Sequence, residues 1–187
     1  DSLYELPGFE SAKYVCAPPL RKKEDQDCLW KGLADGTIQT VSTDHCSFTT
    51  EQKKLGEGDF TKIPGGMPGA ETRGTLIYTY GVDKGRITKE DMCRVLSENP
   101  AKLYGLYPRK GVIAPGSDAD LVIMRTGVED VITAKDQVQN VDYAPFEGTK
   151  VTGRVESVFL RGLQAVKDGK VVEEKKGEFL KRGKYAL

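Results

Sequence analysis

Asp44, His45 and Cys46 are the residues whose types and spacing first suggest chemistry, because they directly follow a predicted strand over residues 38–43. A carboxylate at the end of a strand is suited to hold a hard metal ion or to act as a general base. Aspartate also favours turns, so a structural cap is the alternative for Asp44. Successive side chains of an extended segment point to opposite faces, so we do not expect the three residues to converge on one ion, and we expect His45 to be capped or packed.

The segment 63–69, I-P-G-G-M-P-G, is the second candidate because it contains three glycines and two prolines. A backbone with so few side chains can approach a ligand and offer its own N–H and C=O groups, although a simple turn is the alternative. The segment lacks the G-x-x-x-x-G-K-[ST] spacing of a phosphate loop. Glu71 and Arg73 follow this segment and are two positions apart, so they do not share a helical face. We therefore expect each to form a structural ion pair with another partner.

The composition of the 187-residue chain limits its function. With 28 basic and 28 acidic residues it lacks the basic excess of nucleic-acid-binding proteins, and no apolar run is long enough to cross a membrane. Its four cysteines contain no C-x-x-C pair, which disfavours a structural zinc site. We expect them to be reduced, buried thiols of a cytoplasmic protein. The first residue is Asp1 rather than Met, which predicts that the chain is processed, cut or excised from a longer polypeptide.

Residues 1–108 show the pattern of strands alternating with helices. The predicted elements are, in order, a strand over 12–16, a helix over 24–34, a strand over 38–43, a helix over 71–80, a helix with Thr88 as N-cap and Asp91 three residues on, and a short helix with Asn99 as N-cap. A strand–helix–strand unit is typical of parallel α/β architecture. In α/β barrels the reacting groups lie at the C-terminal ends of strands, here Cys16–Ala17 and Asp44. The segment 44–73 is irregular, which indicates a functional or disordered loop.

Residues 109–187 show a different pattern, in which short strands dominate. The predicted strands are 121–124, 128–132, 155–160, 163–167 and 170–174. Asp168-Gly169 predicts a type I′ hairpin turn between the last two strands. The charged segment 173–184 is expected to be a solvated surface segment or an oligomer arm.

Segments 14–21 (Y-V-C-A-P-P-L-R) and 42–48 (S-T-D-H-C-S-F) resemble the seventh-strand and eighth-strand motifs of the hydantoinase/dihydropyrimidinase branch of the amidohydrolases. Further segments that resemble this branch in consistent order are 63–73 (its substrate loop), 99–102 and 105–111 (its barrel exit), and 141–143, 145–148 and 179–182 (its C-terminal end). Segment 114–122 (A-P-G-S-D-A-D-L-V) is similar to a wider amidohydrolase signature. The resemblance covers nearly the whole chain.

The resemblance implies an α/β fold in which the chain supplies the last strands and helices of an amidohydrolase (β/α)8 barrel, followed by the C-terminal part of a β-sandwich domain. Residues 1–108 would form the barrel part, with strands seven and eight, the substrate loop and the exit helices. Residues 109–187 would form the sandwich part and the C-terminal tail.

The resemblance also implies a reaction, the hydrolytic opening of small cyclic amides such as dihydropyrimidines or 5-substituted hydantoins. The family uses a hydroxide that bridges two metal ions, usually zinc, held by a His-x-His pair, a carboxylated lysine, two further histidines and one aspartate. Asp44 lies at the aspartate position, so its implied role is to ligate one metal and to pass the water proton to the leaving nitrogen. A homotetramer is implied for the intact protein.

Two positions depart from the family pattern. Ala17 replaces a common serine before Pro-Pro, and Gly65 replaces a common asparagine in the substrate loop. The family uses both positions largely through backbone groups that bind the ring amide, so we expect substrate contacts from the backbones of Ala17 and Gly65. Gly65 leaves the loop looser than asparagine would.

The largest departure is the absence of the other metal ligands, since the chain contains one histidine. We therefore interpret it as the C-terminal portion of a cyclic amidohydrolase, inactive alone and dependent on an N-terminal half. The alternatives are a non-catalytic scaffold of the same fold, like the collapsin response mediators, another cyclic amidohydrolase such as allantoinase, or an independent β-rich binding domain. Asp44 favours an enzyme, since a scaffold needs no metal ligand there.

Overall fold

The computed structural model describes residues 2–173 and 177–185, and it divides the chain into two compact units. The first unit consists of Asp1–Leu29, Thr43–Arg73 and Val131–Lys150. The second unit consists of Trp30–Ser42, Gly74–Asp130 and Val151–Leu187. These units reflect contacts within this chain and alternate along it, so the division into 1–108 and 109–187 stays a prediction about the domains of a complete fold.

Helical turns occupy most of the regular structure before residue 104. The α-helices are Lys23–Ala34, Thr50–Lys53, Arg73–Ile77, Lys89–Cys93 and Asn99–Leu103. π-helical turns continue two of them, over Tyr78–Val82 and Arg94–Glu98. The 3₁₀ turns are Ser2–Glu5, Glu10–Tyr14, Lys54–Gly56, Phe60–Lys62 and, later in the chain, Ala134–Asp136. Within the described residues, no helix is both long and apolar enough to span a bilayer.

The helices predicted by local signals are confirmed, with one corrected cap. Thr88 and Asp91 form a reciprocal capping box, in which each side chain accepts a hydrogen bond of 3.0 Å from the other's backbone N–H. Asn99 does not cap its helix, because the preceding helical turns run directly into it. Its side-chain amide instead donates to the carbonyl oxygen of Gln39 at 2.8 Å.

The strands form one four-stranded sheet in the order β1-β2-β3-β4. They are β1 (Leu121–Val131), β2 (Lys150–Leu160), β3 (Leu163–Lys167) and β4 (Lys170–Val171). β3 pairs antiparallel with both β2 and β4. Asp168 (φ 49°) and Gly169 (φ 73°) are both left-handed, which confirms the type I′ turn between β3 and β4.

Three predictions for the second half of the chain need adjustment. The strands predicted over 121–124 and 128–132 are joined in the single strand β1. The strand predicted over 170–174 is shorter in the structure, where β4 covers Lys170–Val171, and residue 174 lies outside the described residues. The charged segment 173–184 is not solvated over all of its described residues, because the N–H of Gly183 donates to the carbonyl of Gly105 at 2.8 Å.

The prediction of strands over 12–16 and 38–43 is wrong for this chain. Residues Glu10–Tyr14 form a 3₁₀ turn, and 38–43 have no regular assignment. A strand exists only where a neighbour completes its hydrogen-bond ladder, and in the described residues no strand pairs with either segment. Val41 donates its N–H to the carbonyl of Val95 at 3.0 Å, a residue of a helical turn.

The core of the second unit lies between the helix Lys23–Ala34 and the later helices. Leu33, Ile87 and Val95 are its buried members. The partly buried side chains packed against them are Trp30, Ile38, Val41, Ile77, Val82, Met92 and Leu96. Trp30 and Leu33 thus face the core, whereas Leu29 on the same helix is 54 % exposed.

The expectation of buried cysteines is wrong, although all four thiols are free as predicted. Cys16 is half-buried, and Cys28, Cys46 and Cys93 are exposed. The physical reason is their position: Cys28 lies on an exposed turn of its helix, and Cys46 lies in a segment of exposed residues. A small apolar residue is buried only where another element covers it.

The capping box at Thr88 predicts how stability depends on pH. The hydrogen bond from the Arg94 guanidinium, together with those from Thr88, lowers the pKa of Asp91 from its usual 3.8 to about 2. A carboxyl group with a lowered pKa stabilises the fold above its unfolded pKa, and this contribution is lost as the pH falls toward 2. We therefore expect Asp91→Asn to lower the free energy of unfolding at about pH 5 and to have little effect at about pH 2.

Urea unfolding of wild type and Asp91→Asn across this pH range measures the difference. A gap between the two proteins that stays constant from about pH 5 to about pH 2 would show that the Asp91 charge contributes nothing to stability.

Candidate active site

Three segments of the first unit meet around the predicted site residues. The N–H of Gly66 donates to the carbonyl of Val15 at 3.0 Å, and the N–H of Cys46 donates to the carbonyl of Met67 at 3.2 Å. The Gly-rich segment therefore connects backbone 15–17 on one side with backbone 44–46 on the other. These bonds bring the segment that contains Asp44 against the 63–69 loop.

Gly66 makes this close meeting of backbones possible. A Cβ atom at Gly66 would lie 2.4 Å from the carbonyl oxygen of Cys46, which is too close for any side chain. A Cβ atom at Gly65 would meet nothing nearer than the backbone nitrogen of Ala17, at 3.9 Å. The loop is thus tightly packed at Gly66 and open at Gly65, the position that the family resemblance assigns to substrate contact.

Asp44 is exposed and has a left-handed backbone, with φ 43°. Aspartate tolerates this conformation better than most residues. Within the part of the chain that the structure describes, the Asp44 carboxylate accepts no hydrogen bond from a neighbour. Its oxygens are therefore free to hold an ion or a proton, and a carboxylate oxygen is a suitable zinc ligand.

His45 has a structural role, as predicted. Its Nδ1 atom accepts hydrogen bonds from the N–H groups of Gly69 and Ala70, at 3.1 and 3.2 Å. A nitrogen that accepts these bonds has its lone pair occupied and does not ligate a metal. Across the described residues no group of three or more His, Cys, Asp and Glu side chains could hold a metal ion.

Ala17 and Gly65 lie beside each other and are both exposed. Neither peptide N–H nor C=O of these two residues has a hydrogen-bond partner among the described residues. Unpaired, exposed peptide groups offer both a donor and an acceptor, which is what a ring amide requires. The arrangement therefore offers peptide donors and acceptors to a ligand, with no polar side chain at either position.

Lys53 is the residue that sequence reasoning missed. Its side chain is completely buried, with 0 % exposure, although lysine is among the residues least often buried. Burial lowers the pKa of the Lys53 ammonium, and the Cys16 and Cys46 thiols oppose that shift. The helix that carries it is signalled by a capping box between Thr49 and Gln52, but nothing in the sequence marks Lys53 as an inward residue.

Glu71 corrects another expectation. Its carboxylate accepts hydrogen bonds from the backbone N–H groups of Val138, at 3.0 Å, and Gln139, at 3.1 Å. The predicted ion pair of Glu71 is therefore replaced by backbone contacts, which satisfy two N–H groups that would otherwise be unpaired.

Comparisons with known proteins identify the family of the chain. The amidohydrolase family profile matches residues 11–172. The chain is 50 % identical to a D-hydantoinase of Geobacillus stearothermophilus over 98 % of its own length and 40 % of that protein's length. It is also 50 % identical to a D-hydantoinase of Streptomyces coelicolor over 89 % of its length and 35 % of that protein's. The chain thus spans about two fifths of the curated relatives it matches.

Solved structures show the same relation. A D-hydantoinase from a Bacillus species, AR9, matches all of this chain with a TM-score of 0.96 and 46 % identity, over 41 % of that protein. A dihydropyrimidinase from Brevibacillus agri matches 91 % of it with a TM-score of 0.90 and 47 % identity, over 37 % of that protein. These matches confirm the resemblance drawn from segments 14–21 and 42–48 and the α/β class. The chain belongs to the amidohydrolase family.

Proposed function

We propose that this chain forms part of a hydrolase that opens cyclic amides, with dihydropyrimidines or 5-substituted hydantoins as substrates. The observation that carries the proposal is that the segment holding the exposed Asp44 is hydrogen-bonded to the loop 63–69, in which Gly65 lies beside Ala17. The similar proteins named D-hydantoinase and dihydropyrimidinase support the same reaction. They do not favour the scaffold, the allantoinase or the binding-domain alternatives.

The residues of this chain would divide the work between binding and proton transfer. Peptide N–H groups at Ala17 and Gly65 would donate to ring carbonyl oxygens, and their C=O groups would accept from ring N–H. Two metal ions, zinc by family resemblance, would supply activation of the attacking water when bound. An Asp44 carboxylate oxygen would take the proton of that water and release it to the ring nitrogen as the C–N bond breaks.

The rest of the site would come from an N-terminal half of the protein. Asp44 fits one position of a two-metal site, and two ions need several more protein ligands. We propose that residues 1–108 complete a (β/α)8 barrel with that half, and that 109–187 belong to a β-sandwich. A homotetramer is part of the same proposal. The four free thiols fit a reducing compartment such as the cytoplasm.

Assays of the complete protein with hydantoin, dihydrouracil and allantoin test the proposal. Metal-dependent opening of hydantoin or dihydrouracil is the expected result. Opening of allantoin alone would show that the protein is another cyclic amidohydrolase. A metal-loaded protein that opens none of the three rings would favour the non-catalytic scaffold.

Ala17→Ser and Gly65→Asn should change activity only modestly in the complete enzyme. Both positions are exposed and would contact the ring through peptide groups, which the new side chains leave in place. A Cβ at Gly65 has 3.9 Å of clearance from Ala17, so the loop can accept it. Values of kcat/KM on two ring sizes, five-membered and six-membered, measure the effect.

Gly66→Ala is the matched control for Gly65→Asn, since its Cβ would meet the Cys46 carbonyl at 2.4 Å and must displace the backbone. We expect it to lower activity much more than Gly65→Asn does. A ligand-bound structure with the ring far from residues 17 and 65 would refute the backbone role of both positions.

A further inference from the structure

Lys53 places a buried cation directly behind the proposed substrate-binding backbone. The residue ends the short helix Thr50–Lys53 and is 0 % exposed. Its Nζ atom lies 5.6 Å from the centroid of the Phe48 ring, which shields one side of the ammonium group. The neighbouring Lys54 has the opposite environment, since its side chain is 51 % exposed and its Nζ lies 3.6 Å from a Glu51 carboxylate oxygen.

Three carbonyl groups surround the Lys53 ammonium. Nζ donates to the oxygens of Val15 at 2.9 Å, Pro64 at 2.6 Å and Gly66 at 2.9 Å. A lysine ammonium carries three N–H donors, so these three bonds use its full capacity. One acceptor lies two residues before Ala17, and the other two lie on either side of Gly65.

We propose that Lys53 is a positioning residue that fixes the separation between the peptide groups of Ala17 and Gly65, and so determines how well the site binds a ring amide. The inference rests on the proposed function. Lys53 would act entirely through the backbone, because its donors all point to carbonyl groups and its side chain is shielded from solvent. The bond from the Gly66 N–H to the Val15 carbonyl supplies a second, weaker link between the same segments.

A purely structural role for Lys53 is the competing explanation, and burial energetics disfavours it. Removing a cation from water is costly, and well-packed apolar residues often stabilise a fold as well as buried charges do. A buried methionine would fill similar space without that cost. What methionine lacks is the ability to hold three carbonyls, from two segments, around one point. The cation is therefore best explained by the geometry it imposes on the ring-binding segments.

Lys53→Met in the complete protein tests the inference, with Lys54→Met as the matched control. For hydantoin or dihydrouracil we expect Lys53→Met to lower kcat/KM about 100-fold, mostly through KM, as expected for a site misplaced by about 1 Å. Metal content per chain should stay at the wild-type value, because the hydrogen bonds of Lys53 go to the carbonyls of Val15, Pro64 and Gly66 and not to Asp44. Lys54→Met should stay within about twofold of wild type, in line with an exposed ion pair.

The outcomes distinguish a failure of the proposed function from a failure of the role proposed for Lys53. A wild-type protein that opens no cyclic amide would overturn the proposed function and this inference with it. An active wild type with an unchanged KM in Lys53→Met would overturn the inference alone, as would a lowered melting temperature without a KM effect. If Lys53→Met does not fold, a structure of the wild type with a bound lactam tests the role of Lys53. In that structure the three Nζ–carbonyl bonds should persist and the ring should contact residues 17 and 65. Loss of the three bonds, or a ring that does not contact both residues, would refute the inference.

Discussion

Asp44→Asn in the complete, metal-loaded enzyme should lower turnover of hydantoin or dihydrouracil by several orders of magnitude. The change keeps the shape of the side chain but removes the negative charge that would hold a metal ion and the oxygen that would carry the proton. Losing both functions at once is expected to cost far more than losing either. Because Asp44 is exposed and makes no hydrogen bond to a described residue, the variant should fold normally.

Glu51→Gln is the control for this experiment. Its carboxylate is 86 % exposed and pairs with Lys54, so its loss should leave turnover close to that of wild type. Steady-state kcat, together with metal content and melting temperature, separates chemistry from stability. Near-normal kcat in Asp44→Asn with both metal ions retained would place the catalytic carboxylate elsewhere.

The second large effect is expected from recombining the chain with a separately produced N-terminal half. Either part alone should show no hydrolysis, and the chain alone should retain well under two zinc ions after dialysis, since it offers one family ligand. Mixing should produce a complex with metal-dependent activity. The driving force is apolar burial: large side chains such as Leu55, Phe60 and Ile113 are 72, 80 and 87 % exposed in this chain.

Covering a few hundred Å² of such surface contributes several kcal/mol, at roughly 25 cal/mol per Å². That amount is comparable with the stability of a whole domain, so association should be readily detected by size-exclusion chromatography. A monodisperse, cooperatively unfolding chain with no affinity for the N-terminal half would refute the barrel assignment of residues 1–108.

Local signals in the sequence were sufficient for several elements. The Thr88–Asp91 capping box and the Asp168-Gly169 turn depend on residues within a few positions of each other, and both were predicted. The helix predicted over 24–34 is confirmed and covers Lys23–Ala34. Asn99 shows the limit of such signals, because its side chain bonds to Gln39, 60 residues away, rather than to its own helix.

Features that depend on distant neighbours could not be predicted. Residues 38–43 have an apolar strand pattern, but a ladder needs a partner strand, and the described sheet supplies none for them. The burial of Lys53 depends on carbonyls from two other segments, which no pattern around position 53 reveals. The proposal of Asp44, Ala17 and Gly65 as site residues came from family resemblance, and the structure adds that Gly65 lies beside Ala17 and that the loop bonds to Cys46, two residues after Asp44.

Anomalous diffraction from the metal-loaded complete protein locates the ions without relying on turnover. We expect an Asp44 carboxylate oxygen about 2.0–2.2 Å from one ion of a two-metal site. We also expect the remaining ligands to come from residues outside this chain. Two ions whose ligands exclude Asp44, or a complete protein with no metal site near residue 44, would contradict this expectation.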